Sequence, residues 1–115
     1  MTTIYHNPRC SKSRQTLAIL EEHGEEPEIV KYLETPPTED ELRKIVRMLG
    51  LSSPRELMRR KEKEYKELGL DDESLSDDDL IRAMAAHPRL IERPIVIKDG
   101  KAALGRPPEK IIGIL

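Results

Sequence analysis

One cysteine stands out among the residues of this chain that could carry chemistry. Cys10 is the only cysteine, and it lies in a polar, basic segment, His6-Asn7-Pro8-Arg9-Cys10-Ser11-Lys12-Ser13-Arg14. The thiolate is the reactive form of cysteine, and nearby positive charge lowers the pKa of the thiol. Because no apolar periodicity covers this segment, a buried, inert cysteine is the less favoured interpretation. We therefore expect Cys10 to act as a nucleophile.

The elements predicted around Cys10 would strengthen that reactivity. Residues 2–6 have β-strand character and stop at Asn7-Pro8, a pair typical of turns. A helix is predicted from about Ser11 to His23, which would place Cys10 at its start. The unpaired N–H groups of a helix N-terminus stabilise a thiolate and also bind tetrahedral oxyanions. The nucleophile and an anion site would then coincide.

Charged and polar neighbours of Cys10 are further candidates. We expect a protonated His6, together with Arg9, Lys12 and Arg14, to add positive charge. Ser13 and Arg14, in the first turn of the predicted helix, are candidates for contacting a bound oxyanion.

The spacing of these residues separates enzyme classes. A dithiol oxidoreductase needs Cys-x-x-Cys, but the fourth position here is Ser13. A phosphotyrosine-phosphatase loop needs Cys-x5-Arg, whereas Arg14 follows Cys10 by only four residues. The remaining pattern, Cys-x-x-Ser-Arg, fits a nucleophile that takes its second thiol from another molecule.

The flanking segments predict an α/β chain. Residues 27–33 are predicted to be a second strand, so the chain begins with a β-α-β unit and a parallel strand pair. A helical insert is predicted over about residues 38–87. Its helix starts are indicated by Thr38-Glu39-Asp40-Glu41, Ser53-Pro54-Arg55-Glu56 and Ser76-Asp77-Asp78-Asp79.

The last part of the chain returns to strands. Residues 94–98 and 101–104 flank Asp99-Gly100, a favoured hairpin turn, and a short helix is predicted to follow Pro108. The order β-α-β, helical insert, β-β-α predicts a thioredoxin-like fold with a four-stranded mixed sheet. We expect residues 1–115 to form a single domain.

Bulk composition limits the classes of function. Charged residues make up 37% of the chain, yet the net charge is only −2, which argues against a nucleic-acid or membrane binder. One cysteine and three dispersed histidines do not form a metal site. A lone thiol and the absence of a signal-peptide pattern predict a cytoplasmic protein, and we expect a monomer.

The active-site segment resembles that of the glutaredoxin-linked arsenate reductase (ArsC) family. The similarity covers nearly the whole chain in order, through Ile4–Arg14, Tyr32–Pro37, Leu57–Arg60, Tyr65, Leu68–Leu70, His87-Pro88, Ile91–Val96 and Gly105–Pro107.

This resemblance implies a reaction and a set of residues. The cysteine thiolate attacks arsenate to form an arsenic–sulfur adduct, glutathione adds, glutaredoxin supplies reducing equivalents, and arsenite is released. No tightly bound cofactor is implied, and glutathione is a co-substrate. The implied oxyanion ligands are Arg59, Arg93 and Arg106, the implied support of the thiolate is His6, and Pro94 matches a cis-proline.

Three points stay open at this stage. Arg60 adjoins Arg59, and one step along a helix turns a side chain by about 100°. A regulator of the Spx type, which binds RNA polymerase through a related fold, is an alternative, although it typically carries Cys-x-x-Cys. Glutathione-dependent thiol exchange on another substrate is a third possibility.

Overall fold

The computed structural model describes all 115 residues and has the predicted α/β architecture, with a four-stranded mixed sheet and helices. The chain forms two compact units. The first comprises residues 1–35 and 93–115, and the second comprises residues 36–92. The second unit therefore corresponds closely to the predicted helical insert.

The first unit is built on the sheet. Its strand order is β2-β1-β3-β4, in which β1 and β2 are parallel and the other neighbouring pairs are antiparallel. The strands are β1 (Thr2–Tyr5), β2 (Glu28–Val30), β3 (Ile95–Lys98) and β4 (Lys101–Leu104).

β2 is shorter than the predicted strand over residues 27–33. Its pairing with β1 ends at Tyr5 opposite Val30, where β1 itself stops. The chain then turns, because Glu34 N–H and Thr35 N–H both donate to the carbonyl oxygen of Lys31. Strand length is set here by the partner strand, which the sequence of β2 alone does not reveal.

Helical elements cover the sheet and complete the core of this unit. α1 (Ser11–Glu22) ends before Gly24, whose φ of 75° is readily adopted by glycine. The predicted final helix is a 3₁₀ helix, Pro108–Ile114, that contacts both α1 and β4. One cluster of completely buried core side chains consists of Ile4, Leu20, Val96 and Ile111.

The second unit is helical, as predicted, and contains α2 (Glu39–Met48), α3 (Lys63–Glu67) and α4 (Asp77–Ala86). Thr38 and Ser76 cap α2 and α4, and each forms a reciprocal capping box. Leucine, isoleucine and methionine side chains of α2 and α4 are buried where the two helices pack.

Two details of this unit differ from the sequence analysis. The segment after Ser53 is a 3₁₀ helix, Pro54–Leu57, and the five-residue α3 was not predicted. A segment as short as α3 has too few apolar positions to give a periodic signal. No helix in either unit combines the length and the apolar character needed to span a bilayer.

Candidate functional site

Cys10 is the N-cap residue of α1, with extended backbone angles of φ −92° and ψ 123°. The preceding loop is fixed by its own hydrogen bonds. Asn7 accepts the Arg9 N–H on its side-chain oxygen at 3.0 Å and the Cys10 N–H on its main-chain oxygen at 3.0 Å. This arrangement is an Asx-type turn, the role in which asparagine is favoured. The loop therefore holds a partly exposed thiol over the start of α1.

Ser13 connects the loop to the helix from a completely buried position. Its hydroxyl oxygen accepts a hydrogen bond from Asn7 N–H at 3.4 Å, and the hydroxyl also bonds to the sulfur of Cys10. The residue that takes the place of a second cysteine is thus a direct partner of the nucleophile.

The surroundings of Cys10 favour the thiolate. Partial burial raises the pKa of the thiol, but four other effects outweigh it. These are the N–H of Ser13, the charge of Arg93, the N–H of Lys12 and the hydroxyl of Ser13, and together they lower the pKa of Cys10 below its ordinary value. The helix start and one predicted oxyanion ligand therefore stabilise the same charge.

Arg93 and Arg106 flank the open end of the β3–β4 hairpin. In the register of the hairpin Lys98 faces Lys101 and Ile95 faces Leu104. One further step outward pairs Pro94 with Gly105, whose N–H donates to the Pro94 carbonyl oxygen at 2.9 Å. The next step brings together Arg93 and Arg106, and Arg106 Nη1 lies 3.3 Å from the carbonyl oxygen of Arg93.

Both arginines precede a cis-proline: the Arg93–Pro94 and Arg106–Pro107 peptide bonds are both cis. The cis geometry expected for Pro94 is confirmed. A Cβ atom on Gly105 would lie 2.7 Å from Cγ of Pro94 and would also collide with the side chain of Thr16 on α1. Close packing of glycine, proline and helix therefore fixes the hairpin end against the helix that begins at Cys10.

Arg59 belongs to the second unit. Its guanidinium Nη2 lies 2.7 Å from Oε1 of Glu62, and its side chain is 24% exposed, whereas Arg60 is exposed to solvent. Its main-chain N–H donates to the Leu90 carbonyl oxygen at 2.7 Å. Its role as an oxyanion ligand stays a prediction from the family resemblance.

Arg14 forms a hydrogen bond to the loop that precedes Cys10. Its guanidinium Nη1 donates to the Pro8 carbonyl oxygen at 2.8 Å, bridging the first turn of α1 to the loop before Cys10. Oxyanion binding by Arg14 stays a prediction.

His6 is only 5% exposed, and its main-chain N–H donates to the Val30 carbonyl oxygen at 2.8 Å. Burial, followed by the charges of Lys31 and Arg14, lowers the pKa of His6 below its ordinary value. The direction of this shift favours the neutral imidazole, contrary to the expectation of a protonated His6. The sequence gives no direct sign of this burial.

A cavity of about 240 Å³ opens beside the Cys10 loop, between the segments that follow β1 and β2. Its lining residues are His6, Asn7, Pro8, Arg9, Lys31, Leu33 and Glu34. The sequence analysis missed the contribution of residues 31–34. The predicted parallel pairing of the first two strands could have indicated it, because the carboxyl ends of neighbouring parallel strands lie at the same edge of a sheet.

Comparison with known proteins gives consistent results. The model of the ArsC family matches residues 5–114. An arsenate reductase of Neisseria meningitidis serogroup A is 58% identical over 112 residues, which cover 97% of this chain and 96% of that protein. An arsenate reductase of Escherichia coli K12 is 49% identical over 113 residues, 98% of this chain and 79% of that protein.

A solved structure, an arsenate reductase from Vibrio cholerae, superposes with a TM-score of 0.97 at 57% identity. The match covers 99% of this chain and 97% of that chain. These relatives do not favour the alternative of an Spx-type regulator.

Proposed function

The chain belongs to the ArsC family, and we propose that it is an oxidoreductase that reduces arsenate to arsenite through a covalent adduct on Cys10. The observation that carries this proposal is the position of Cys10 at the N-cap of α1, with a thiol whose pKa is lowered in part by the charge of Arg93. The names of several relatives, which are arsenate reductases, support the choice of substrate.

The first step uses the groups around Cys10. The thiolate attacks arsenic, one arsenate oxygen leaves as water after accepting protons, and a sulfur–arsenic bond forms with arsenic still in the +5 state. The N–H groups at the start of α1, together with the guanidinium groups of Arg93 and Arg106, are suited to hold the remaining oxygens. Arg59 is the third proposed ligand.

Reduction needs two electrons from outside the chain, because Cys10 is the sole cysteine and no second thiol is available. We assign the first external thiol to glutathione, whose sulfur replaces another oxygen on arsenic and releases water. A glutaredoxin thiolate then attacks the glutathione sulfur and forms a mixed disulfide. The electron pair of the broken arsenic–sulfur bond stays on arsenic, which becomes +3.

Hydrolysis of the remaining bond to Cys10 releases arsenite and restores the thiol. The sum is arsenate plus two thiols giving arsenite, one disulfide and water. This chemistry requires a compartment in which thiols stay reduced, so we propose that the protein works in the cytoplasm.

Mass spectrometry of the intact protein tests the nucleophile and the substrate together. After incubation with arsenate and glutathione, we expect a population carrying arsenic, with the modification mapped to the peptide that contains Cys10. Cys10→Ser should carry none, whereas Ser11→Ala, a matched change at the neighbouring position, should behave like the wild type. Absence of arsenic from the wild-type protein would contradict the proposal.

A steady-state assay tests the reductant. NADPH consumption coupled through glutathione reductase should require arsenate, glutathione and glutaredoxin together. Thiol exchange on a model mixed disulfide that is indifferent to arsenate would instead favour glutathione-dependent thiol chemistry on another substrate.

A further inference from the structure

The external thiol must approach Cys10 without displacing the oxyanion, and this requirement rests on the proposed function. The oxyanion ligands of the first unit, Arg93 and Arg106, lie on the β3–β4 side of β1. Because the strand order is β2-β1-β3-β4, the opposite side of β1 belongs to β2. The cavity of about 240 Å³ lies on that side.

The cavity sits at the carboxyl ends of two parallel strands. His6 to Arg9 leave β1 and lead directly to Cys10, while Lys31 to Glu34 leave β2. The segment from His6 to Arg9, which forms one side of the cavity, therefore ends one residue before Cys10. Ligands of α/β proteins characteristically bind outside the carboxyl ends of parallel strands.

The charges around the cavity are of both signs and lack partners within the protein. Arg9, Lys31 and Glu34 are exposed, and their side chains take part in no ion pair or hydrogen bond. The cations of Arg9 and Lys31 are suited to bind carboxylate groups of a ligand, and the carboxylate of Glu34 is suited to bind an ammonium group. Leu33 and Pro8 supply apolar surface for the part of a ligand between its charged ends.

His6 provides a second observation at this cavity. His6 lines the cavity, and its side chain is only 5% exposed. Its Nδ1 atom has no hydrogen-bond partner. Buried polar atoms without partners are uncommon in folded proteins, so each one requires an explanation. The cavity lining thus includes a residue with an unsatisfied polar group.

We propose that this cavity binds the charged end of the small-thiol co-substrate, with carboxylate groups at Lys31 and Arg9 and the ammonium group at Glu34. Its volume is below the range of roughly 300–1,000 Å³ that encloses a drug-sized ligand. The cavity therefore holds part of a peptide thiol, and the sulfur-bearing part extends along the loop towards Cys10. Thiol and oxyanion would reach Cys10 from opposite sides of β1.

Binding of S-methylglutathione, which keeps the charges of glutathione but cannot react, tests the site directly. Titration of the full-length protein followed by NMR should perturb the amides of residues 6–9 and 31–34. Lys31→Gln should weaken binding by about tenfold, as expected for loss of one charge-assisted hydrogen bond. Lys110→Gln, a matched change at an exposed lysine on the 3₁₀ helix of the same unit, should leave the dissociation constant unchanged.

Kinetics add a contrast that a structural effect of the substitution would not produce. In Lys31→Gln the KM for glutathione should rise about tenfold, while the KM for 2-mercaptoethanol, which has no carboxylate, should stay the same. Equal binding by Lys31→Gln and Lys110→Gln, or amide changes outside the cavity, would overturn the inference. So would failure of the wild-type protein to bind S-methylglutathione.

These readouts separate the inference from the proposed function. Binding of S-methylglutathione in the cavity of a protein that forms no arsenic adduct would uphold the thiol site and overturn arsenate reduction. An arsenic adduct with normal glutathione kinetics in Lys31→Gln would uphold arsenate reduction and overturn the thiol site.

Discussion

The guanidinium group of Arg106 donates a hydrogen bond to the main-chain carbonyl oxygen of Arg93, 3.3 Å away. One arginine thus helps to position the segment that carries the other, and Arg93 in turn lowers the pKa of Cys10. Arg106 is also one of the proposed oxyanion ligands, and its guanidinium group can form forked hydrogen bonds. Thiolate stabilisation and anion binding are therefore linked through the hairpin end.

Replacement of Arg106 should weaken arsenate binding. We expect Arg106→Gln to raise the KM for arsenate tenfold or more, because charge-assisted hydrogen bonds contribute about 1.5–3 kcal/mol. Steady-state kinetics at saturating glutathione measure this change. Arg82→Gln, at an exposed arginine of α4, is the control and should retain the wild-type KM. An unchanged KM in Arg106→Gln would remove Arg106 from the site.

Arg59 and Arg60 should differ in the same assay. Arg59→Gln should raise the KM for arsenate, since the family resemblance assigns it to the oxyanion, whereas the exposed Arg60→Gln should not. The Glu62 carboxylate, 2.7 Å from the Arg59 guanidinium, would then keep only its longer ion pair, with Arg89 at 3.6 Å. A raised KM in Arg60→Gln together with an unchanged KM in Arg59→Gln would show that Arg60 is the oxyanion ligand.

The buried hydroxyl of Ser13 should control the acidity of the nucleophile. Ser13→Ala removes a hydrogen bond that lowers the pKa of Cys10, so the pKa should rise and less thiolate should be present at neutral pH. The pH profile of iodoacetamide alkylation should shift its inflection to higher pH. Ser11→Ala, at an exposed position one residue after Cys10, should keep the wild-type profile. Coincident profiles for Ser13→Ala and the wild type would refute this role.

His6 should titrate below its ordinary range. Its imidazole signal in NMR should show an inflection below about pH 6.5, and Lys31→Gln should move the pKa upward by removing a repulsive charge. The unfolded chain binds this proton more readily than the folded protein. The free energy of unfolding should therefore fall as the pH drops below about 6.5, down to the folded-state pKa. An inflection at or above 6.5 would contradict this account.

Gly105 should tolerate no side chain. Gly105→Ala places a Cβ atom 2.7 Å from Cγ of Pro94 and against Thr16, and overpacking of this kind costs about 1–3 kcal/mol. Gly113→Ala is the matched control, because its Cβ atom would meet open space. Thermal unfolding should show a lower Tm for Gly105→Ala alone. Equal Tm values would show that the hairpin end shifts without cost.

The sequence predicts the frame of this protein well because its main signals are local. The turn at Asp99-Gly100 predicts the hairpin, and Thr38 and Ser76 mark helix starts through capping residues that act over three positions. The position of Cys10 before a helix follows from the Asn7-Pro8 turn. Each of these features depends on neighbours in the chain.

What the sequence does not predict depends on distant partners. The protonation state of His6 follows from its burial and from Lys31, 25 positions away, which reaches it only because β1 and β2 pair. The cavity beside Cys10 depends on the same pairing. The length of β2 is set by the end of β1, and no pattern within residues 27–33 records it.

The turn at Asp99-Gly100, with φ angles of 50° and 79°, lies at the end of the hairpin away from the two arginines. Because side chains alternate between the two faces of a strand, an extra turn residue that shifted the β3–β4 pairing by one would exchange the faces of β4 and displace Arg106, two residues beyond it. Exposed loops usually accept insertions. This one should not, because its length keeps Arg106, a proposed oxyanion ligand, beside Arg93.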